Sequence, residues 1–390
     1  MAKTKTEQEL RQEAVRRRLA GESPAEIARS LGRSRQWVAK WVRRQDSGEG
    51  DWAAGAKRGP ARAPHRTPAE LEALVLAVRE RLVANPWAQV GAEAVAWELR
   101  KLGVEPPPRR TLERIVARGG ATRRRSSGRR QAKGVPYPSV AVEQPGQLHE
   151  ADLVGPRHLA GGVRFCALNA IDLASHRCGI EIIPDCSDQQ VAAGLVALWG
   201  RLGLPDRLQL DNGGPFVAPK GLGLIVRLCL QQGVTPRFVP AREPWRNGTV
   251  EHFNDTFDKR FFRQEHFTSL PHLQQRALAF ETFHNDNHRY RASNGRTPAE
   301  SSGHNKRRRP RPLADSAAGW PAAGRVEFVR FIRSDRKLRL LSRAITMPDT
   351  IVYEYVTAVL DLAVEPAEGN LRVLRNGEIV ATANITIGGR

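Results

Sequence analysis

Three acidic residues stand where two strands and a helix could bring them together. Asp152 lies within a strand-like segment, Asp211 ends another, and Glu251 falls in the first turn of a predicted helix. Carboxylates gathered at one point repel one another, and hard divalent cations with oxygen ligands relieve that repulsion. Two Mg²⁺ ions about 3.5–4 Å apart, with Mn²⁺ as a substitute, would serve an in-line phosphoryl transfer. The sequence predicts Asp152, Asp211 and Glu251 as catalytic residues and as the metal ligands.

Each of these acids also has an ordinary structural interpretation. Asp211 precedes Asn-Gly and could cap a turn, and Glu251 could be a first-turn acid favoured by the helix dipole. Glu150 shares a strand face with Asp152 and competes with it for the catalytic role. Asp172 also ends a strand, and we interpret it as a turn residue.

The elements that must position these acids follow from periodicity and turn signals. Three strands come first, then two further strands alternate with helices. The strands are Gln147–Val154, Arg164–Leu173, Cys178–Pro184, Arg207–Asp211 and Thr235–Val239, and the helices are Ser187–Leu202, Gly221–Gln232 and Thr249–Phe262. This order predicts an α/β ribonuclease-H-like core over residues 146–303, in which the first and fourth strands are neighbours.

Three sequence blocks resemble the signatures of DDE transposases of the retroviral-integrase superfamily, in the bacterial insertion-sequence branch. They are QLHEADLVGP, LQLDNGGPF and REPWRNGTVEHFN. In the third, Pro244, Asn247, Gly248 and Glu251 match the family pattern P-x-x-N-G-x-x-E, and 39 residues separate Asp211 from Glu251. HNDNHRYRASNGRTPAE also resembles the segment that follows the family's catalytic core. The resemblance covers residues 146–300 and implies a Mg²⁺-dependent polynucleotidyl transferase with two ions per active site.

The sequence departs from the family in two places. Where an aromatic residue often precedes the first aspartate, this chain has His149, Glu150 and Ala151. Where a lysine often follows the glutamate by seven residues, it has Asp258, with Lys259 next. We predict that Lys259 and Asn247 contact DNA.

The net charge of +21 is concentrated near one end of the chain. Residues 1–135 hold 30 basic and 15 acidic residues, whereas the whole chain holds 62 and 41. Such a concentration of positive charge indicates a polyanionic partner, and double-stranded DNA is the first interpretation. The charged N-terminus does not resemble a signal peptide, and no apolar run reaches 18 residues. We expect a cytoplasmic, nucleoid-associated bacterial protein without a membrane segment.

The histidines and cysteines give no clear metal-binding pattern. Cys166, Cys178, Cys186 and Cys229 lack paired spacing, and we expect four reduced, buried thiols. His284 and His288 are four residues apart on a predicted helix, but no further ligand set accompanies them. We interpret both histidines as surface or DNA-facing residues.

Residues 1–46 have the order of a helix-turn-helix domain. Helices are predicted over Glu7–Ala20, Pro24–Leu31 and Ser34–Arg44, with Ser23 as an N-cap and Gly32 at the turn. The predicted DNA-binding residues of this domain are Arg33, Arg35, Gln36, Lys40, Arg43 and Arg44. The alternative is a plain three-helix bundle with a solvated basic face.

A second trihelical unit, of helix-turn-helix or winged type, is predicted over residues 67–118, between basic linkers at 47–66 and 119–145. Its helices are Pro68–Ala84, Gly91–Leu102 and Pro108–Arg118. We predict further DNA contacts from this unit and the second linker, namely Arg109, Arg110, Arg114, Arg123, Arg124, Arg125, Arg129 and Arg130.

After a linker at 304–320, residues 321–390 contain six strand-like segments, which predict a small SH3-like β-barrel. The segments are Arg325–Ile332, Leu338–Leu341, Ile345–Met347, Val356–Val364, Leu371–Leu374 and Glu378–Ile385. The resemblance implies that such a barrel binds DNA or a neighbouring subunit, and a merely structural barrel is equally compatible. The fold class is therefore multidomain: all-α helix-turn-helix units, an α/β core and a C-terminal barrel.

Together these features predict a transposase that binds the terminal inverted repeats of its element and then cuts and joins DNA. Joining two ends implies a homo-oligomer, a dimer or tetramer on paired ends, and an ATPase helper protein remains open. Two alternatives stay open as well. One is a sequence-specific DNA-binding regulator with an inactive integrase-like domain, and the other is a metal-dependent nuclease that cuts without joining.

Overall fold

The computed structural model describes residues 6–48, 50–54, 67–120, 134–213, 222–303, 308–312, 323–362 and 368–386. The chain divides into two compact units, Met1–Pro68 and Ala69–Arg390. Within the described ranges, no helix is both long enough and apolar enough to cross a membrane.

The first unit contains the three predicted helices. They are α1 (Glu7–Leu19), α2 (Pro24–Leu31) and α3 (Arg35–Asp46). Ser23 and Glu26 form a capping box at the start of α2, and Gly32 ends that helix in the left-handed region with φ 64°. The side chain of Ser34 accepts a hydrogen bond at the start of α3. Ala14, Ile27, Ala28 and Val38 form the buried core of this unit.

The second unit begins with three more helices, which the sequence also predicted. They are α4 (Ala69–Ala84), α5 (Ala92–Lys101) and α6 (Arg109–Arg118). Their apolar faces meet around Val75, Val95, Leu99, Leu112 and Ile115, all of which are buried.

The turn between α4 and α5 fastens these helices to the rest of the second unit. The Trp87 ring makes edge contacts with Phe261, Phe280 and Phe283, at centroid distances of 6.3, 5.7 and 5.6 Å. The side chain of Gln89 accepts from the backbone N–H of Arg289 at 2.7 Å and donates to its carbonyl at 3.2 Å. The Trp87 ring and the paired backbone contact of Gln89 are therefore part of the docking of the three helices.

The catalytic-core prediction is confirmed in its element order. The strands are β1 (Leu148–His158), β2 (Arg164–Asp172), β3 (Cys178–Ile183), β4 (Arg207–Leu210) and β5 (Thr235–Phe238). The helices are α7 (Asp188–Leu202), α8 (Leu224–Gln231), α9 (Gly248–Phe257), α10 (Leu270–Asn287) and α11 (Pro298–Ser302). Strands β1, β2 and β3 are antiparallel, while β4 pairs in parallel with both β1 and β5.

The sheet is covered by helices on both faces. One face packs against α7 and α8 through residues such as Leu168, Leu198 and Ile225. The other packs against α9 and α10 through Val250, Phe253 and a further set of buried phenylalanines. Alternating residues of β2 enter the two clusters, as the twofold side-chain period of a strand requires.

Four of the six described C-terminal strands continue this sheet, the other two pair only with each other, and the predicted separate barrel is not confirmed. The strands are β6 (Gly324–Phe331), β7 (Lys337–Leu340), β8 (Arg343–Thr346), β9 (Tyr355–Leu362), β10 (Glu368–Arg375) and β11 (Glu378–Thr386). Strand β6 pairs in parallel with β5, and the nine-stranded order is β11-β10-β9-β6-β5-β4-β1-β2-β3. Phe328 stacks on Phe238 at 5.3 Å, so this part shares the core of the preceding domain. Asn376 and Gly377 form the two-residue hairpin turn between β10 and β11, with positive φ at both residues.

The prediction of four reduced thiols is wrong for two of the cysteines. Cys166 and Cys186 form a disulfide, with their Cα atoms 6.1 Å apart. Pairing of β2 with β3 brings Cys166 opposite Ile183, and the turn after β3 returns Cys186 to it. Cys178 and Cys229 are free and buried, as predicted.

The docking of α4–α6 makes a stability prediction at Trp87. Replacing Trp87 by Ala removes the ring from its aromatic neighbours and should lower the free energy of unfolding of the second unit by about 3 kcal/mol. Chemical denaturation followed by circular dichroism measures this change. Trp245→Ala is the matched control, because Trp245 is 58% exposed, and should change stability by less than about 0.5 kcal/mol. Equal effects of the two substitutions would contradict the docking role.

Candidate active site

Two of the predicted acids lie on neighbouring parallel strands. Asp152 is in the middle of β1, and Asp211 directly follows the last residue of β4. The register places Glu150 opposite Gln209. Because Asp152 and Asp211 each lie two residues further along, they follow the same register on the same face. The predicted neighbourhood of the first and fourth strands is confirmed.

The third acid is presented to the sheet by α9. Glu251 is in the first turn of this helix, which begins directly after a 3₁₀ turn at Pro244–Asn247. Val250 and Phe253 anchor the helix in the core below. Asn254, one turn beyond Glu251, donates a hydrogen bond from Nδ2 to Oδ2 of Asp152 at 2.7 Å. The helix face that carries Glu251 therefore lies against the strand that carries Asp152.

The acids share an electrostatic environment. The pKa of Asp152 is raised from 3.8 to about 6, chiefly because the carboxyl is largely buried, and further by the charges of Asp211 and Glu251. The backbone N–H of Leu153 and the Asn254 amide oppose this shift. Asp152 is therefore a carboxylate whose charge is costly unless a cation lies nearby.

The side chains fit a hard divalent cation in their chemistry, since all three offer carboxylate oxygens. Their present orientations do not make a finished ligand cluster. Within the described ranges, no three His, Cys, Asp or Glu side chains are grouped so that they could hold one ion. Oδ1 of Asp211 instead accepts from the N–H of Gly213 at 2.9 Å, and Oδ2 of Asp152 accepts from Asn254.

Sequence reasoning missed the residues that surround these acids. The Glu150 carboxylate is only 3% exposed and accepts hydrogen bonds from the N–H groups of Thr249 and Val250, both at 2.9 Å. Gln209 donates to its other oxygen at 3.1 Å. Burial raises the pKa of Glu150 to about 7 against these hydrogen bonds. In the sequence, the position of Glu150 two residues before Asp152 indicated a competitor for the catalytic role. It did not indicate a residue that supports the other acids.

Asn247 matches the family pattern, but its side chain is buried and does not present the surface that the predicted contact with DNA needs. Its side chain is 2% exposed and donates to the carbonyl of Ala151 at 3.1 Å, while its Oδ1 accepts from Gln209 at 3.3 Å. Both ends of the amide are used inside the protein. Asn247 thus ties the turn before α9 to β1 and β4.

The positions after Glu251 also differ in their surroundings. Asp258 begins a π-helical turn at Asp258–Phe262, is buried, and binds Arg157 and Arg263, each at 2.6 Å. Lys259 is 64% exposed and pairs with Asp255, one helical turn earlier, at 2.6 Å. Lys259 is therefore accessible, as a DNA contact requires, whereas Asp258 is a structural ion-pair partner.

The 3₁₀ turn before α9 is also held from outside. The guanidinium of Arg246 lies 4.0 Å from the ring centre of Tyr137 and 5.0 Å from that of Tyr355. Arg246 also pairs with Glu243 at 3.0 Å, and the hydroxyl of Tyr355 donates to Glu243. The segment ahead of β1 and strand β9 together fix the turn that leads into α9.

His284 and His288 are both buried, and their interpretation as surface or DNA-facing residues is wrong. His284 contacts Sγ of Cys178 at 3.1 Å through Nδ1 and the Tyr290 hydroxyl at 2.8 Å through Nε2. Nε2 of His288 meets the carbonyl of Trp87 at 2.8 Å. Burial lowers the pKa of both histidines, that of His288 to about 4. They are neutral structural residues beneath the docked helices.

The predicted DNA-binding residues of the helices fall into two groups. The exposed ones are Arg35, Gln36, Lys40, Arg43, Arg109, Arg110 and Arg114, whereas Arg33 and Arg44 are partly buried. Arg33 pairs with Glu7, Arg44 lies 5.4 Å from the ring centre of Trp41, and Arg109 pairs with Glu113 at 2.8 Å. Arg123, Arg124, Arg125, Arg129 and Arg130 lie outside the described residues.

Two family models match the chain. Residues 5–52 match a homeodomain-like domain, and residues 232–298 match an integrase core domain. The matched range includes Glu251, whereas Asp152 and Asp211 precede it. The resemblance to integrase-type transposases is thus confirmed as a homeodomain-like domain followed by an integrase core.

Similar solved structures come from retroviral integrases. The HTLV-2 integrase catalytic core domain in complex with magnesium is 13% identical at a TM-score of 0.33, covering 41% of this chain and 97% of that one. The BIV integrase catalytic core is 21% identical at 0.32, covering 40% and 92%. The simian T-cell lymphotropic virus intasome with PP2A regulatory subunit B56 gamma is 12% identical at 0.38, covering 76% and 92%. These TM-scores are below 0.5 and carry no argument about individual residues.

The raised pKa of Asp152 predicts a specific pH dependence of stability. Asp152 binds its proton more tightly in the native state than in the unfolded chain. The protonated carboxyl therefore favours the folded state below about pH 4, and this contribution to the free energy of unfolding is lost as the pH rises through about 6. Asp152→Asn removes the buried charge. Without metal, the variant should therefore be more stable than wild type at pH 7.5 by roughly 2–3 kcal/mol, and by only about 1 kcal/mol at pH 4.5.

Thermal melting in EDTA at the two pH values measures this difference. Asp286→Asn, at an exposed acid of α10, is the control and should leave the melting temperature unchanged at both. A lower melting temperature for Asp152→Asn at pH 7.5 would contradict the desolvated-carboxylate interpretation.

Proposed function

We propose that this protein is a DDE-type DNA transposase that binds the terminal inverted repeats of its element and catalyses DNA cleavage and strand transfer. The observation that carries the proposal is the placement of Asp152, Asp211 and Glu251. They come from two neighbouring parallel strands and the helix packed against them. The charges of Asp211 and Glu251 help to raise the pKa of Asp152. The matches to a homeodomain-like domain and an integrase core domain support it.

In the proposed reaction, water first cleaves a phosphodiester bond and exposes a 3′-hydroxyl at the element end. That hydroxyl then attacks a phosphodiester of the target, forming one P–O bond as another breaks and losing its proton to solvent. Magnesium ions would supply Lewis-acid activation of the reacting oxygens. Asp152, Asp211 and Glu251 would hold two such ions, while Asn254 orients Asp152. Because DNA itself supplies the nucleophile, positioning lowers the barrier without a covalent enzyme intermediate.

The helical regions would recognise the ends. Helix α3 presents Arg35, Gln36, Lys40 and Arg43 on an exposed surface, which suits the recognition helix of a helix-turn-helix domain in a major groove. In the second unit, α6 offers Arg110 and Arg114 to a further part of the site. Joining two ends requires at least two copies of the chain, and an ATPase helper protein stays an untested partner.

The catalytic assignment predicts a large loss of joining. Asp211→Asn and Glu251→Gln keep the side-chain shape but remove a metal-binding charge, and they should slow strand joining by more than about 10³-fold. The measurement uses terminal-repeat DNA, target DNA and Mg²⁺, with Asp286→Asn as an active control. Full joining by either variant would refute the assignment. Cutting without joining by wild type would favour a nuclease, and end binding without either reaction would favour a regulator.

The recognition assignment predicts weaker end binding with a change in salt dependence. Arg35→Ala combined with Arg43→Ala should weaken binding to terminal-repeat DNA, and the slope of log K against log salt should fall by about one for each phosphate that the variant no longer neutralises. Fluorescence anisotropy at several salt concentrations measures both. Arg16→Ala is the control, since Arg16 is an exposed arginine of α1 that pairs with Glu13. Equal binding by wild type and the double variant would rule out α3 as the recognition helix.

A further inference from the structure

A single buried carboxylate connects the three elements that carry the acidic residues. Glu150 belongs to β1, two residues before Asp152. One of its oxygens accepts from Thr249 and Val250, the two residues before Glu251, at 2.9 Å each. The other accepts from Gln209, two residues before Asp211, at 3.1 Å. Glu150 therefore reaches the immediate neighbours of both other acids.

This carboxylate takes the place of an ordinary helix cap. The first N–H groups of a helix need an acceptor, which is usually the side chain of the N-cap residue. The N-cap residue of α9 is Asn247, and its side chain makes no cap hydrogen bond. Glu150 supplies the acceptor from β1 instead, so the start of the catalytic helix is fixed to the strand of Asp152.

The surrounding amides complete a buried network. Gln209 also donates to the carbonyl of Arg246 at 3.1 Å and to Oδ1 of Asn247 at 3.3 Å. Asn247 in turn donates to the carbonyl of Ala151 at 3.1 Å. A buried charge is tolerated only where such partners satisfy it, so moving α9 away from β1 and β4 would leave Glu150 unpaired.

We propose that Glu150 is a positioning residue that fixes Glu251 relative to Asp152 and Asp211. Its role rests on the proposed function, because the acids need a common geometry only if they hold metal together. Glu150 acts through backbone N–H groups and Gln209, and it contacts neither the metal nor DNA. Residues that orient metal ligands in this way change metal affinity by about 10–100-fold when replaced.

The test is Mn²⁺ binding to the full chain, followed by electron paramagnetic resonance and independent of DNA joining. In Glu150→Gln the side-chain volume is kept, but an NH₂ group must face either Gln209 Nε2 or the backbone N–H groups, all of which are donors. We expect Mn²⁺ affinity to fall 10–100-fold. The joining rate constant should fall with it, while the dissociation constant for terminal-repeat DNA changes less than about twofold.

Glu281→Gln is the matched control for a structural role. Glu281 is also buried and accepts from a backbone N–H, that of Ile180 at 2.8 Å, but it pairs with Arg201 and not with the acid-bearing helix. We expect this variant to melt at a lower temperature with unchanged Mn²⁺ affinity. Gln209→Met removes the hydrogen-bond donor on β4 and should also lower Mn²⁺ affinity, but less than Glu150→Gln does. If Glu150→Gln does not fold, Gln209→Met still tests the positioning role.

The outcomes separate this proposal from the one it rests on. If wild type binds Mn²⁺ and joins DNA, and Glu150→Gln and Gln209→Met bind Mn²⁺ as tightly as wild type, the positioning role is overturned. Equal loss of affinity in Glu281→Gln would also overturn it, because general destabilisation would then explain the effect. If wild type does not bind Mn²⁺ at all, the proposed function itself fails, and the positioning role fails with it.

Discussion

Repulsion among carboxylates is the constraint on which the site depends. Asp152 is largely buried, and both its burial and the charges of Asp211 and Glu251 raise its pKa. Such an arrangement is unfavourable for a protein without a partner of opposite charge, so the surrounding structure must hold the acids together. In the proposed function, bound cations would relieve this repulsion.

The scaffold meets this constraint with fixed backbone and with buried polar contacts. The parallel pairing of β1 with β4 sets the two aspartates in register. The helix of Glu251 is anchored below by phenylalanines and tied at its start to β1. Tyr355 of β9 reaches the turn before this helix, so the C-terminal strands help to support the site as well as extend the sheet.

The sequence predicted the acids and their elements because these signals are local. Strand alternation, caps and the spacing around Glu251 can be recognised without knowing what packs against them. The role of Glu150 could not be predicted, because it caps a helix that lies about a hundred residues later in the chain. Asn247 matched a motif, but only the fold places its amide inside the protein. The C-terminal strands were predicted individually, whereas the pairing of β6 with β5 is a long-range contact.

The central claim is that Asp152, Asp211 and Glu251 form one metal-binding centre for reactions on DNA. The most direct measurement is an anomalous difference map of crystals of the chain grown with terminal-repeat DNA and Mn²⁺. Our account predicts two manganese peaks about 3.5–4 Å apart, bounded by these three carboxylates and next to the 3′ end of the DNA. Manganese bound elsewhere, or a DNA complex whose three carboxylates contact no metal, would contradict it.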